Sequence, residues 1–300
     1  MSDRKPVSLP RLAEMKQAGE PIVMVTAYDY PSARVAEEAG VDLVLVGDTA
    51  AMVVLGYPGT EQVSMDEMIM LGKAVRRGVK TPLMVGDMPM GSYESSNELA
   101  VQSAQRMVKE TGCQVVKLEA GGTSVERARA IIRAGIPVMG HVGLTPQTAT
   151  ALGGYKTQGK TAQGAIQLLE DALALQSVGC FAIVFEAVPA AITEAIVAKL
   201  EIPAIGIGAG PATAGQVLVY HDLLGITTGR TAKFVKRYAE VHAAMVDGVG
   251  RYTEEVRTHR FPEADHVYGI EPAELQEFHR YLEQKDGLAS RQAWEWEPLP

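Results

Sequence analysis

The feature that most restricts the fold of this chain is an alternation between short apolar runs and longer amphipathic segments. Continuous apolar runs of this length, rich in valine and isoleucine, are typical of parallel strands that are buried on both faces. Seven such runs occupy residues 22–26, 43–47, 83–86, 115–119, 137–140, 181–186 and 204–207. A weaker eighth run lies at residues 223–227.

Helical segments separate the apolar runs. Some are predicted to begin with a capping box, in which a hydroxyl residue precedes a glutamate by three positions; the pairs are Ser64 with Glu67, Ser95 with Glu98, and Thr123 with Glu126. Residues 165–177 carry an apolar stripe at helical spacing. Glycines that suit helix ends precede the next runs, at Gly40, Gly78, Gly112, Gly135 and Gly179. About eight repeats of strand, loop, helix and glycine predict an α/β fold, a single (β/α)8 barrel of the TIM type over residues 1–265.

The pattern changes after about residue 262. Residues 272–284 predict one amphipathic helix, and both tryptophans, Trp294 and Trp296, follow it. We interpret residues 266–300 as a C-terminal helical extension that serves packing or subunit contact.

Composition excludes several other classes of protein. The net charge of −8 argues against a nucleic-acid surface. The two cysteines, Cys113 and Cys180, begin apolar runs and are interpreted as buried thiols rather than a disulfide framework. The N-terminal residues lack an apolar stretch of signal-peptide length, and no run is long enough to span a membrane. We therefore expect a cytoplasmic protein whose partners are small molecules.

Chemically active residues fall where the predicted strands end. Because the C-terminal ends of barrel strands meet in one ring, residues far apart in the sequence are expected to converge there. They are Asp48, Asp87, Lys117, Glu119, His141 and Glu186, with a glycine-rich stretch at residues 206–210. Two long loops, 49–63 and 142–160, are predicted at the same end.

This set of residues predicts a metal site and a base. Neighbouring carboxylates repel one another, and a divalent cation offsets that repulsion. Oxygen ligands favour Mg²⁺ over Zn²⁺. Lys117 and Glu119 are two positions apart and face the same side of a strand, so Lys117 is a candidate partner for a substrate carboxylate. Glu186 ends an apolar strand, where partial desolvation favours a general base.

Structural interpretations compete with these functional ones. An aspartate after a strand often caps the following helix, and an isolated residue such as His141 is more often structural than catalytic. Residues 206–210 suit an anion site or a tight turn equally well. Residues 154–161 match the P-loop pattern but do not directly follow a strand, so we interpret them as part of a mobile lid.

Several motifs resemble the ketopantoate hydroxymethyltransferase family. They are TAYDY at residues 26–30, VGD at 46–48, HVGLTPQ at 141–147, GGYK at 153–156 and GIGAG at 206–210. The resemblance runs in order from about residue 8 to 266. It implies a Mg²⁺-dependent barrel that transfers a hydroxymethyl group from 5,10-methylenetetrahydrofolate to 3-methyl-2-oxobutanoate through a Mg²⁺-stabilised enolate. The product, ketopantoate, is a precursor of pantothenate.

The resemblance also implies roles for individual residues. Asp48 and Asp87 would be the metal carboxylates and would contact substrate, with Glu119 beside them as a ligand or a neighbour of the ligands. Thr49, where the family often has serine, would contact the substrate. Lys117 would bind the ketoacid, and Glu186 would be the base. The family forms homo-oligomers, often decamers.

Two other functions fit the same sequence. One is a Mg²⁺-dependent lyase or mutase of the phosphonopyruvate and isocitrate lyase type, although those enzymes typically carry a catalytic cysteine on a mobile loop. Neither long loop contains a cysteine here. The other is a barrel without catalytic activity that serves as a binding module.

Overall fold

The chain folds into a closed barrel of parallel strands, which confirms the predicted (β/α)8 architecture. The computed structural model describes residues 4–119, 124–148, 153–229 and 231–289, with only the backbone over 286–289. Within these residues the strands are β1 (Ile22–Thr26), β2 (Leu43–Val46), β3 (Leu83–Asp87), β4 (Val115–Lys117), β5 (Val138–Gly143), β6 (Ala182–Glu186), β7 (Ala204–Ile207) and β8 (Gly215–Leu218). Each strand pairs with the next in chain order, and β8 closes the barrel on β1.

Helices connect most of the strands. The α-helices are α1 (Leu9–Ala18), α2 (Tyr30–Ala39), α3 (Ala50–Val53), α4 (Met65–Gly78), α5 (Asn97–Thr111), α6 (Ser124–Arg133), α7 (Ala162–Ser177), α8 (Ala190–Val197), α9 (Tyr220–Leu223), α10 (Val241–Arg257) and α11 (Pro272–Ala289). Short 3₁₀ turns occur at Thr60–Gln62, Pro146–Thr148 and Ala264–His266.

The position predicted for the eighth strand is wrong. The strand is β8, whereas the apolar run at 223–227 begins at the last residue of α9. β8 begins at Gly215, where a Cβ would lie 2.3 Å from the carbonyl oxygen of Ile22 in β1. β8 therefore begins with a glycine, which the close approach requires, and continues with Gln216. It lacks the apolar run on which the prediction depended.

The strand residues alternate between two hydrophobic layers. On β2, Leu43 and Leu45 pack inside the barrel, whereas Val44 and Val46 pack outward against the helices. The inner layer continues around the barrel through residues such as Met24, Val85, Val115, Met139, Val184 and Ile205. A side chain that continues the inner series past the last apolar layer therefore lies at the mouth of the barrel.

Helix ends agree with the predictions at most positions. Left-handed backbone angles occur at Gly40, Gly112, Gly135 and Gly179. Gly78 instead ends α4 itself, where a Cβ would lie 2.5 Å from that of Ala33 in α2, so this glycine permits close helix packing. The α7 stripe is narrower than expected: Leu168 and Leu175 are buried, but Ile166 and Leu173 are exposed.

The chain divides into two compact units, residues 1–242 and 243–300. The first contains the barrel, and the division lies before the predicted domain boundary at residue 265. The predicted C-terminal helix is present as α11, and its apolar side chains, such as Phe278 and Tyr281, are exposed. Trp294 and Trp296 lie outside the described residues, and the roles assigned to the two regions stay predictions.

Two further findings concern the cysteines and the membrane. Cys113 and Cys180 are free and buried, as expected. In the part of the chain that the structure describes, no helix is long and apolar enough to cross a membrane.

The caps of two helices show how local contacts decide where a helix begins. The Ser64–Glu67 capping box is present at α4. At α5 the cap is Ser96, whose hydroxyl accepts a hydrogen bond from the backbone N–H of Leu99, and not Ser95 as predicted. Thr123, the third predicted cap, lies outside the described residues.

We expect Ser96→Ala to lower the free energy of unfolding by about 1 kcal/mol, because it removes the acceptor at the start of α5. The matched control is the adjacent, exposed Ser95→Ala, which should change stability by less than about 0.5 kcal/mol. Urea denaturation followed by circular dichroism measures both. A larger loss for Ser95→Ala than for Ser96→Ala would contradict the assigned helix start.

Candidate active site

One pocket at the C-terminal end of the barrel contains every site residue predicted from the sequence. Its lining includes Asp48, Thr49, Asp87, Lys117, Glu119, His141 and Glu186. The structure therefore brings together side chains that are separated by up to 138 positions in the sequence, from Asp48 to Glu186. Their chemical roles stay predictions.

Strand alternation explains this convergence. On β3, Leu83 and Val85 point into the barrel, and Asp87 occupies the next inward position. Lys117 and Glu119 follow the inward Val115 by the same step of two residues. His141 likewise follows Met139, and Glu186 follows Val184. The charged residues thus form the next layer above the apolar interior.

A buried ion pair lies at the centre of the pocket. Lys117 Nζ is 2.8 Å from Asp87 Oδ1, and both side chains are almost fully buried. The other oxygen of Asp87, Oδ2, accepts a hydrogen bond from the backbone N–H of Asp48 at 3.1 Å. Burial lowers the pKa of Lys117, but the carboxylates of Asp87, Glu119 and Asp48 outweigh that effect and raise it, so the ammonium stays charged.

The carboxylates around Lys117 outnumber its single positive charge. Burial, followed by the charges of Asp87 and Glu119, raises the pKa of Asp48 well above its usual range. Burial also raises the pKa of Asp87, and the charge of Lys117 offsets only part of the rise. A cluster of oxygen ligands with excess negative charge suits a hard divalent cation.

The arrangement nevertheless differs from a closed three-carboxylate cage. Among the described residues, no group of three or more histidine, cysteine, aspartate or glutamate side chains is placed to hold a metal ion. Glu119 is engaged elsewhere: its Oε2 accepts from the backbone N–H of Gln147 at 3.0 Å, and its Oε1 lies 3.6 Å from His141 Nδ1. Whether Glu119 is a ligand of the cation or a neighbour of the ligands therefore stays a prediction.

His141 connects two carboxylates. Its Nδ1 faces Glu119, and its Nε2 lies 3.3 Å from Glu186 Oε2. Burial and the charge of Lys117, whose Nζ is 3.4 Å from Nδ1, lower the pKa of the imidazole. The neighbouring carboxylates of Glu119 and Glu186 outweigh both and raise this pKa from 6.5 to about 9. His141 is therefore a buried cation at neutral pH.

The sequence interpretation assigned no role to Gln147 and Tyr93. Gln147 Nε2 donates to Asp48 Oδ2 at 2.8 Å and to the Met88 carbonyl at 3.0 Å. Gln147 Oε1 accepts from the Tyr93 hydroxyl at 2.7 Å. The contacts of Gln147 join loops that are 54 to 99 positions apart, so sequence spacing could not predict them. The one signal in the sequence was that Gln147 ends the HVGLTPQ segment.

The remaining predicted features have mainly structural settings. Thr49 precedes α3 without a side-chain capping bond and is half-buried beside Asp48. A Cβ at Gly208 would lie 2.4 Å from the Phe234 ring, so close packing favours the tight-turn interpretation of residues 206–210. The P-loop-like segment lies well after β5 and before α7, as expected, and its function as a lid stays a prediction.

A larger cavity of about 900 Å³ lies elsewhere, between the α1–β1 and β7–β8 connections. Its charged lining residues are Lys16 and Glu20, and the rest is mainly small or apolar. The chemistry of the charged cluster, not the size of the cavity, therefore identifies the candidate site.

Comparison with known proteins decides the family. The sequence model described as ketopantoate hydroxymethyltransferase matches residues 6–264. The chain belongs to this family. A 3-methyl-2-oxobutanoate hydroxymethyltransferase of Heliobacterium modesticaldum is 52% identical over 89% of this chain and 97% of that protein. The mitochondrial 3-methyl-2-oxobutanoate hydroxymethyltransferase 1 of Oryza sativa is 49% identical over 94% of this chain and 79% of that protein.

Solved structures support the fold of this family member. A phosphoenolpyruvate phosphomutase from Streptomyces platensis aligns with a TM-score of 0.57 at 16% identity, over 94% of this chain and 99% of that one. Phosphonopyruvate hydrolase, solved with oxalate and Mg²⁺, aligns with a TM-score of 0.57 at 13% identity, over 97% of this chain and 100% of that one. At identities this low, the likeness shows that the barrel fold is shared and says nothing about the reaction.

We expect the His141 imidazole to titrate near pH 9 in the metal-free protein. Because its folded pKa lies above 6.5, its contribution to stability is complete below about pH 6.5 and is lost as the pH rises through 9. Histidine-selective NMR measures the midpoint, and the resonance is assigned by its loss in His141→Asn. A midpoint below 6.5 would show that burial and Lys117 dominate instead.

Proposed function

We propose that this protein transfers a hydroxymethyl group from 5,10-methylenetetrahydrofolate to 3-methyl-2-oxobutanoate, forming ketopantoate for pantothenate biosynthesis. The observation that carries the proposal is the buried cluster of Asp48, Asp87 and Lys117 beside Glu186, in a chain of this family. The cluster offers oxygen ligands and one ammonium for an α-ketoacid. Glu186 offers a base at the edge of the same pocket.

Asp48 and Asp87 are the residues that would hold Mg²⁺. Their burial and the rise in the pKa of both carboxyl groups agree with a site whose negative charge is incompletely balanced. Two carboxylates leave coordination positions for water and for the keto and carboxylate oxygens of the substrate. When bound, the cation would withdraw charge from the ketoacid and acidify the neighbouring C–H. Glu119 would support the site through Gln147 and His141.

Lys117 and Thr49 would orient the ketoacid. The Lys117 ammonium lies among carboxylates in the buried part of the pocket, where charge pairing with a substrate carboxylate is weakly screened. Thr49 lines the same pocket beside Asp48 and offers a hydroxyl. Together they would fix the substrate so that its C3–H faces the end of β6.

Glu186 would remove the C3 proton. Its side chain is 16% exposed, so it is near bulk water and still in contact with the buried His141. Water would cleave both C–N bonds of the folate methylene, releasing tetrahydrofolate and a one-carbon unit at the oxidation level of formaldehyde. The electron pair left on C3 would attack that carbon and form the new C–C bond. The oxygen of the one-carbon unit would take up the proton held by Glu186 and become the hydroxyl of the product. A well-placed base contributes roughly 10²–10⁴-fold to such a step.

The lyase or mutase alternative gains no support from the site. Enzymes of that type typically carry a catalytic cysteine or a similar group on a mobile loop. Cys113 and Cys180 are buried just before β4 and β6, at the end of the barrel opposite to the carboxylate cluster. The fold likeness to phosphonopyruvate enzymes therefore carries no functional proposal.

The proposed partners beyond these substrates are further copies of the chain. Exposed apolar side chains on the outer helices, such as Ile166 and Leu173 on α7, suit a homo-oligomer. A decamer and a cytoplasmic location stay predictions.

We expect the wild-type protein with Mg²⁺ to exchange the C3 proton of 3-methyl-2-oxobutanoate for deuterium without folate, and to form ketopantoate only when the folate is added. Glu186→Gln should bind the ketoacid but lose exchange by roughly 10²-fold or more, because the amide accepts no proton. NMR of the ketoacid in deuterium oxide measures exchange, and mass spectrometry measures product. The control is Glu194→Gln on the exposed side of α8, which should behave as wild type. Unchanged exchange in Glu186→Gln would exclude this residue as the base, and product without folate would exclude the proposed reaction.

A further inference from the structure

The carboxamide of Gln147 joins its own loop to the loops that follow β2 and β3, beside the site. It donates to Asp48 Oδ2 and to the carbonyl of Met88, and it accepts from the Tyr93 hydroxyl. Gln147 is 5% exposed and Tyr93 is 2% exposed, so water contributes little to these hydrogen bonds. The oxygen and the nitrogen of the carboxamide therefore both have hydrogen-bond partners within the protein.

The partners define which way the amide points. A backbone carbonyl only accepts hydrogen bonds, so the Met88 oxygen must face the NH₂ group, and Asp48 Oδ2 lies on the same side of the amide. Burial raises the pKa of Tyr93 far above its usual value, so its hydroxyl stays protonated and donates to Oε1. Reversing the amide would place its oxygen against two acceptors, which costs a buried, unsatisfied group at each.

The backbone of the same residue holds a second carboxylate. The N–H of Gln147 donates to Glu119 Oε2 at 3.0 Å. This N–H belongs to the 3₁₀ turn Pro146–Thr148, and the hydroxyls of Thr145 and Thr148 meet at 2.6 Å across it. One residue thus fixes both Asp48 and Glu119 without itself carrying charge.

We infer that Gln147 is a positioning residue whose amide is kept in one orientation by Tyr93. Its hydrogen bond occupies Asp48 Oδ2, which leaves the other carboxylate oxygen of Asp48 to bind a divalent cation. The inference rests on the proposed function, because it takes Asp48 to be a cation ligand. Gln147 acts through Asp48 and Glu119 and makes no contact with the reacting atoms. Tyr93 acts only through Gln147.

The test measures the affinity for Mn²⁺, a spectroscopic substitute for Mg²⁺, by electron paramagnetic resonance. Gln147→Leu should weaken Mn²⁺ binding about tenfold or more, because a buried charge-assisted hydrogen bond is lost. Tyr93→Phe should weaken it by a smaller factor, because the amide is no longer held in one orientation. In the Gln147→Leu background, Tyr93→Phe should have no further effect on affinity.

Gln167→Leu is the matched control, because Gln167 also donates to an aspartate, Asp171, at 3.0 Å, but on the exposed side of α7. It should leave Mn²⁺ affinity unchanged. Thermal unfolding of each variant separates stability from affinity, since a purely structural role would lower the midpoint and leave the Mn²⁺ affinity of the folded protein unchanged. If Gln147→Leu does not fold, the affinity of Tyr93→Phe decides the question alone.

Two results would overturn the inference: wild-type affinity in Tyr93→Phe and Gln147→Leu, or an equal effect of Tyr93→Phe in both backgrounds. Failure of the proposed function is a different result. In that case the wild-type protein itself would show no ketoacid exchange and no product.

Discussion

The site depends on one buried ion pair, between Lys117 and Asp87, in a region with more carboxylates than cations. Breaking such a pair by removing one partner typically costs about 3–5 kcal/mol, because the other charge is left buried. The pair is retained at the end of an apolar barrel interior, where that desolvation is most costly. A function that needs charge at this point explains the arrangement, since apolar residues would pack there at lower cost.

The barrel supplies the rigidity that the ion pair requires. Asp87 and Lys117 are register partners on neighbouring strands, β3 and β4, so backbone hydrogen bonds fix the distance between their Cα atoms. The next layer adds Glu119 and His141, and Glu186 lies opposite Gly143 on the β5–β6 pair. Local loops then set the finer geometry, as Gln147 does for Asp48. Strand register decides which side chains meet, and loop contacts decide how each carboxylate is turned.

Much of this was predictable because barrel strands impose two simple periods. Apolar runs located β1 to β7, and the charged residues where those runs end were predicted to converge, as Asp87, Lys117, Glu119, His141 and Glu186 do. The predicted position of β8 was wrong because this strand begins with Gly215, which lets the backbone lie close to that of Ile22 in β1. A glycine at this point gives no apolar signal in the sequence. The helix start at Ser96 was missed by one residue, because two adjacent serines are equivalent until the backbone selects one.

The contacts of Gln147 were not predictable for a different reason. A glutamine has no charge and no required spacing, and its partners lie in loops whose paths depend on the whole barrel. The rise in the pKa of His141 was also outside sequence reasoning, because opposing influences act on the imidazole and only distances decide between them. Its interpretation as a purely structural residue was therefore the simpler one from the sequence.

We propose that Asp48 and Asp87 together hold one hard divalent cation beside Lys117. Anomalous X-ray diffraction from crystals grown with Mn²⁺ and 3-methyl-2-oxobutanoate tests it directly. We expect one strong Mn²⁺ peak between the carboxylates of Asp48 and Asp87, with the ketoacid in contact with it. A bound ketoacid without a Mn²⁺ peak in this pocket, or a peak held by other residues, would contradict it.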